Sequence, residues 1–118
     1  MITHLLGTSS DIKTKGKILF IEDVGEYIYN IDRMLYQLKR NGKLDKITGL
    51  IVGGFTDMKD TTIPFGQTVY EVIRDIVKEY DYPVCFDFPV SHGMENFALK
   101  IGAKYNLTVG NKLTILQE

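Results

Sequence analysis

An α/β fold with a β-rich C-terminal end is predicted for this sequence by three observations. Short apolar runs alternate with amphipathic helical stripes, both stripes carry recognisable end signals, and the last segment breaks into short β-like runs around a glycine turn. A chain of 118 residues, 44% hydrophobic and 25% charged, has enough apolar material for one core and not for two, so a single domain is expected.

Taken in order, Ile18 to Ile21 reads as a strand that ends on two carboxylates, Glu22 and Asp23. Ile28, Ile31, Met34, Leu35 and Leu38 then recur at helical spacing, and Gly42 can end that helix because glycine accepts a left-handed cap. The run Ile47 to Val52 predicts a second strand halting at Gly53 and Gly54, with the polar stretch TDMKDTTIPFG as the connecting loop. Thr68 and Glu71 form a capping-box pattern ahead of Val69, Val72, Ile73, Ile76, Val77 and Tyr80, which mark one buried face of a second helix. YPVCFDF reads as a third strand and PVSHGMEN as a loop. The remainder reads as short strands turning at Gly110 and Asn111. The charges of KRNGKLDK are read as a solvated helix end and turn.

Net charge is −1 and the sequence pI is near 6.1, so no basic surface points to nucleic acid. No apolar run approaches the ~20 residues that cross a bilayer, and the N-terminus lacks the ordered parts of a signal peptide. A cytoplasmic protein is the resulting expectation. Cys85, the single cysteine, can form no internal disulfide and is expected to pack as a small apolar side chain.

Three features can carry chemistry. Glu22 follows an apolar strand, and ligand-handling residues of open α/β sheets gather at strand C-terminal ends. His92 lies in a loop of the kind that presents polar side chains, with Gly93 beside it to let backbone or substrate approach. Gly53 and Gly54 could aim backbone N–H groups at an anion, but the other parts of a phosphate loop are missing and a tight turn is the simpler reading. A carboxylate and an imidazole suit a relay in which the acid orients the ring and the ring takes a proton from a nucleophile. The nucleophile is what this chain lacks. Ser91 adjoins His92 in sequence, where neighbouring side chains diverge, and Ser9 and Ser10 have no sharp, glycine-flanked setting.

The strings E-D-V-G-E (22–26) and I-D-R-M-L (31–35), together with PVSHGMENFALKIGAK (89–104), resemble the LD-carboxypeptidases, or murein tetrapeptide carboxypeptidases, which include the microcin-immunity peptidases. The likeness runs from about Leu5 to Leu113 and matches only that family's C-terminal half. It implies a layered β/β/α domain of the swivelling type over residues 16–118, preceded by a connecting segment, residues 1–15, from an N-terminal domain outside this chain. It also implies a Ser-His-Glu triad in which Glu22 and His92 are catalytic, the serine comes from the other domain, and no cofactor or metal is needed. The implied substrate is a murein peptide losing its terminal D-amino acid, the implied assembly a homodimer, and the isolated chain is expected to be inert. Two positions depart from the family pattern: Ser91 replaces a glycine before the histidine, and Lys100 replaces a proline in LPLG. The rival reading is a binding module that keeps the fold without catalysis.

Overall fold

The computed structural model describes all 118 residues. A short 3-10 turn, Ile2–Leu5, precedes strand β1 (Ile18–Val24), helix α1 (Ile28–Arg40), β2 (Gly49–Thr56), helix α2 (Val69–Val77), β3 (Val84–Cys85), β4 (Asn106–Val109) and β5 (Thr114–Gln117). Strands β1, β2 and β3 form a parallel sheet in that order, and β4 and β5 form a separate antiparallel hairpin. Successive right-handed crossovers along a sheet of order 1-2-3 place both helices on the same face. The core follows from this. Leu19 of β1, with Leu50 and Val52 of β2, meets Ile31, Leu35 and Leu38 of α1 and Val69, Val72, Ile73, Ile76 and Val77 of α2.

Local chemistry sets the helix ends. The first amide of α1, at Ile28, donates to the carbonyl of Lys59 at 3.0 Å, which replaces a side-chain cap. At its other end Gly42 takes φ 68°, Lys43 N–H donates to Leu38 O at 3.0 Å and Gly42 N–H to Lys39 O at 2.9 Å. This is a Schellman stop, and it needs the glycine. For α2 the capping box forms as its spacing predicts: Thr68 N–H donates to Glu71 Oε2 at 2.8 Å, and Glu71 N–H to Thr68 Oγ1 at 3.3 Å.

The opposite face of the sheet is covered by the hairpin and by the loop after β3. A Cβ built on Gly49 would lie 2.8 Å from Leu107 Cδ2, so β4 packs where β2 offers no side chain. Helices, parallel sheet and hairpin thus form three layers. Cys85 is buried and its thiol is pushed up by that burial, in keeping with a small apolar role.

Several boundaries differ from the sequence reading. Strand β2 continues through Gly53 and Gly54 to Thr56, so the double glycine is not a terminating turn. The third strand shrinks to two residues, because after Cys85 the chain leaves the ladder and Asp87 takes φ 53°. Residues 97–105 contain no strand, and the β-rich end is the single hairpin. The charges of KRNGKLDK, at the end of α1 and in the turn after it, are not all solvated. Lys39 Nζ reaches Glu79 Oε2 at 3.1 Å and Ile76 O at 3.4 Å, joining the ends of the two helices. Lys43 Nζ pairs with Asp11 Oδ2 at 2.8 Å and Ile12 O at 2.9 Å, tying residues 1–15 to the body, and Ile2, Leu6 and Ile12 pack on the core.

Ile73 is fully buried between α2 and the sheet, so Ile73→Ala is expected to cost about 2–5 kcal/mol in urea denaturation. Three carboxyls are held below their ordinary values: Asp11 by hydrogen bonding from Lys43, Glu71 by the Thr68 amide, and Asp75 by the Gln67 amide. A depressed folded pKa stabilises above the unfolded value and is lost as pH falls through the folded one. The denaturation midpoint should therefore hold above the ordinary carboxyl values, 4.5 for Glu and 3.8 for Asp, and drop below them. Replacing Asp11, Glu71 and Asp75 by their amides should flatten that drop.

Candidate functional site

Where β1 and β2 run side by side, the register shifts. Ile21 pairs with Val52 and Asp23 with Phe55, so Gly53 and Gly54 together stand opposite Glu22. A bulge of this kind puts one extra residue into β2 and reverses which face its later side chains take. Val52 and Phe55 accordingly both pack on the helix side, although three positions separate them. Phe20 and Glu22 point to the other face, where Phe20 lies against Gly53.

The same two glycines seat the loop that carries His92. A Cβ on Gly53 would collide with Val90 O, and one on Gly54 with Ser91 Cβ. Gly54 N–H donates to Val90 O at 3.2 Å, and Phe88 N–H to Val52 O at 3.0 Å, so the loop lies directly on the β2 backbone. Within the loop Asn96 Oδ1 accepts from Ser91 N–H at 3.3 Å, and Phe97 N–H donates to Pro89 O at 2.9 Å, closing the segment on itself. His92 stands at its tip.

His92 Nδ1 lies 2.9 Å from Glu22 Oε2. The carboxylate is mostly covered, with 27% of its side chain exposed, while the imidazole is 58% exposed, so the ring is fixed from below and open above. When the imidazole is neutral, Nδ1–H donates to the carboxylate and leaves Nε2 as the basic atom. Such a ring can take a proton from a hydroxyl brought to its open side.

The other candidates are not part of this pair. Asp23 Oδ1 accepts from its neighbour Val24 N–H at 2.8 Å. Ser91 Oγ accepts from Gly93 N–H at 2.9 Å and donates to Glu95 O at 3.4 Å, so this hydroxyl closes the turn around His92. At Gly93 a Cβ would come within 3.1 Å of Ser91 Oγ, a tight fit that glycine avoids. Ser9 and Ser10 lie exposed in the turn before Asp11, and Lys100 pairs with Glu118 at 2.9 Å. The double glycine offers no open anion cradle, because the Gly54 N–H is spent on Val90 O. Sequence reasoning assigned nothing to Asn96 or Tyr70. Asn96 stands within the PVSHGMEN string, whereas nothing local marks Tyr70, which lies on α2.

The sequence matches one family model and several carboxypeptidases. Residues 1–107 match the family model described as LD-carboxypeptidase C-terminal domain. Over 117 residues, 99% of this chain and 37% of the relative, the sequence is 34% identical to the probable murein peptide carboxypeptidase of Bacillus subtilis. It is 29% identical to the murein tetrapeptide carboxypeptidase of Pseudomonas aeruginosa across 83% of this chain and 31% of that protein. The fold is similar to the crystal structure of muramoyltetrapeptide carboxypeptidase from Oxalobacter formigenes, with a TM-score of 0.85 and 27% identity, over 100% of this chain and 42% of that one. The chain thus spans less than half the length of these relatives.

Two outcomes test this site. Gly54→Ala should cost about 1–3 kcal/mol by overpacking, and Gly54→Ala/Ser91→Gly should recover more than half of it, because Ser91 is the side chain in the way. Glu22→Gln should shift the unfolding free energy by less than about 1 kcal/mol, since a partly exposed ion pair contributes little.

Proposed function

The chain belongs to the LD-carboxypeptidase family, and we propose that it supplies the glutamate and histidine of that family's Ser-His-Glu triad, with Glu22 and His92 in those roles. The observation that carries the reading is the 2.9 Å contact of His92 Nδ1 with Glu22 Oε2 beneath an otherwise open imidazole. The nucleophilic serine comes from an N-terminal domain of the whole protein, and residues 1–15 are the segment leading from it. Met94, Phe97 and Ile101, all well exposed beside the His92 loop, form the apolar ground on which that domain sits.

In the proposed reaction His92 Nε2 takes the proton of the serine hydroxyl as the serine oxygen attacks the carbonyl of an L,D-peptide bond in a murein peptide. Glu22 stabilises the imidazolium that forms. The ring then passes the proton to the departing amine of the D-amino acid, leaving an acyl-serine ester. A water gives its proton to the same nitrogen, attacks the ester, and releases the shortened peptide as the serine recovers its hydrogen. The setting of the full protein in this reading is a cytoplasmic homodimer that trims recycled cell-wall peptides.

In the intact two-domain protein, His92→Ala is expected to lower kcat by a factor on the order of 10⁶ and Glu22→Gln by about 10⁴, following the relative weights of base and orienting acid in a serine triad. D-Alanine release from a murein tetrapeptide is the readout. The 118 residues alone should release none and resist a serine-directed fluorophosphonate. Turnover restored by adding the N-terminal domain should vanish in His92→Ala; full activity in that variant would return the chain to the binding-module reading.

A further inference from the structure

Tyr70, on the first turn of α2, touches both supports of the Glu22–His92 pair from the far side of the sheet. Its hydroxyl lies 3.3 Å from the carbonyl oxygen of Gly53 and 3.2 Å from Asp87 Oδ1. Gly53 belongs to the bulge opposite Glu22, and Asp87 begins the segment that leads through Phe88 and Val90 to His92. Both neighbours are acceptors, so the one phenolic proton is shared between them, and each contact is longer than a single O–H···O bond for that reason. The ring is held independently: it makes edge contacts with Phe55 at a centroid distance of 6.3 Å and with Phe86 at 5.6 Å.

We propose that Tyr70 is a positioning residue for the proposed triad, its hydroxyl coupling the β2 bulge to the start of the His92 loop so that Nδ1 of His92 and Oε2 of Glu22 stay within hydrogen-bond reach. Removing the hydroxyl frees one backbone carbonyl, of Gly53, and one side-chain carboxylate, of Asp87, while leaving the aromatic packing in place. Burial first, and the Asp87 carboxylate second, hold the phenol above its ordinary value, so the donor keeps its proton at neutral pH. Asp87 itself sits at φ 53°, in the left-handed region that glycine, asparagine and aspartate adopt most readily, and the Tyr70 contact helps to hold it. This proposal rests on the triad reading only for its catalytic consequence. The geometric part stands on the contacts alone.

The chain contains two histidines, so nitrogen-15 spectra of the imidazoles resolve His92 with His4 as an internal control. In the wild type, above the imidazole titration, His92 should show protonated Nδ1, the tautomer that donates to Glu22. In Tyr70→Phe this signature should be lost and His92 should move toward the pattern of His4, with the His4 signals unchanged. Asp87→Gly, which accepts the left-handed backbone and deletes one acceptor, should shift His92 in the same direction, and it serves should Tyr70→Phe not fold. An unchanged His92 spectrum in either folded variant overturns the proposal. In the two-domain enzyme Tyr70→Phe should lower kcat on the order of 10- to 100-fold with KM unchanged, as expected for a misplaced catalytic group. Loss of the spectroscopic signature with undiminished turnover would retain Tyr70 as a positioning residue for His92 and sink the triad reading instead.

Discussion

The close approach of the Val90–Ser91 backbone to Gly53 and Gly54 is the contact on which the site depends. Two successive positions of β2 have no side chain, and the loop fills that space so tightly that either Cβ would overlap it. Because the strand is otherwise buried and bonded to β1, it serves as a rigid floor, and the loop inherits its position from it. The bulge formed by the same glycines stands opposite Glu22. One local feature therefore fixes the carboxylate and the imidazole together, which is how a loop residue such as His92 meets a partner 70 residues earlier in the chain at 2.9 Å.

The layers divide the work. On one face α1 and α2 bury the apolar stripe that stabilises the parallel sheet, and Tyr70 of α2 reaches the Gly53 carbonyl beside the pair. On the other face the hairpin and the His92 loop share the cover, the hairpin at Gly49 and the loop at Gly53. A stable core thus lies on the opposite side of the sheet from the polar pair. On the His92 side Met94, Phe97 and Ile101 stand open. Catalytic groups placed at the C-terminal ends of parallel strands share this arrangement, since the strands hold them and loops alone face outward.

The two positions where the resemblance led to expecting a glycine and a proline have structural places. Ser91 uses its hydroxyl to cap Gly93 and fits only because Gly54 has no side chain. Lys100 is turned to Glu118 at the end of the chain. Neither residue touches the contact between Glu22 and His92. No helix is long and apolar enough to cross a membrane.

Local chemistry made much of this fold legible. The stop of α1 at Gly42, the capping box of Thr68 and Glu71, the buried stripe from Val69 to Val77 and the first parallel strand are each encoded within a few residues, where propensity and periodicity act. The strings around Glu22 and His92 pointed to the two residues and to the family. What the sequence by itself could not determine was anything set by contact between distant segments. The double glycine reads as a turn by itself and becomes strand only because another loop lies on it. Strand β3 ends after two residues because the chain departs toward that same seat. Tyr70 lies outside the predicted helical stripe and carries no local signal, until the fold brings its hydroxyl to Gly53 and Asp87. Periodicity records which face of an element is buried, and only the tertiary structure decides what it is buried against.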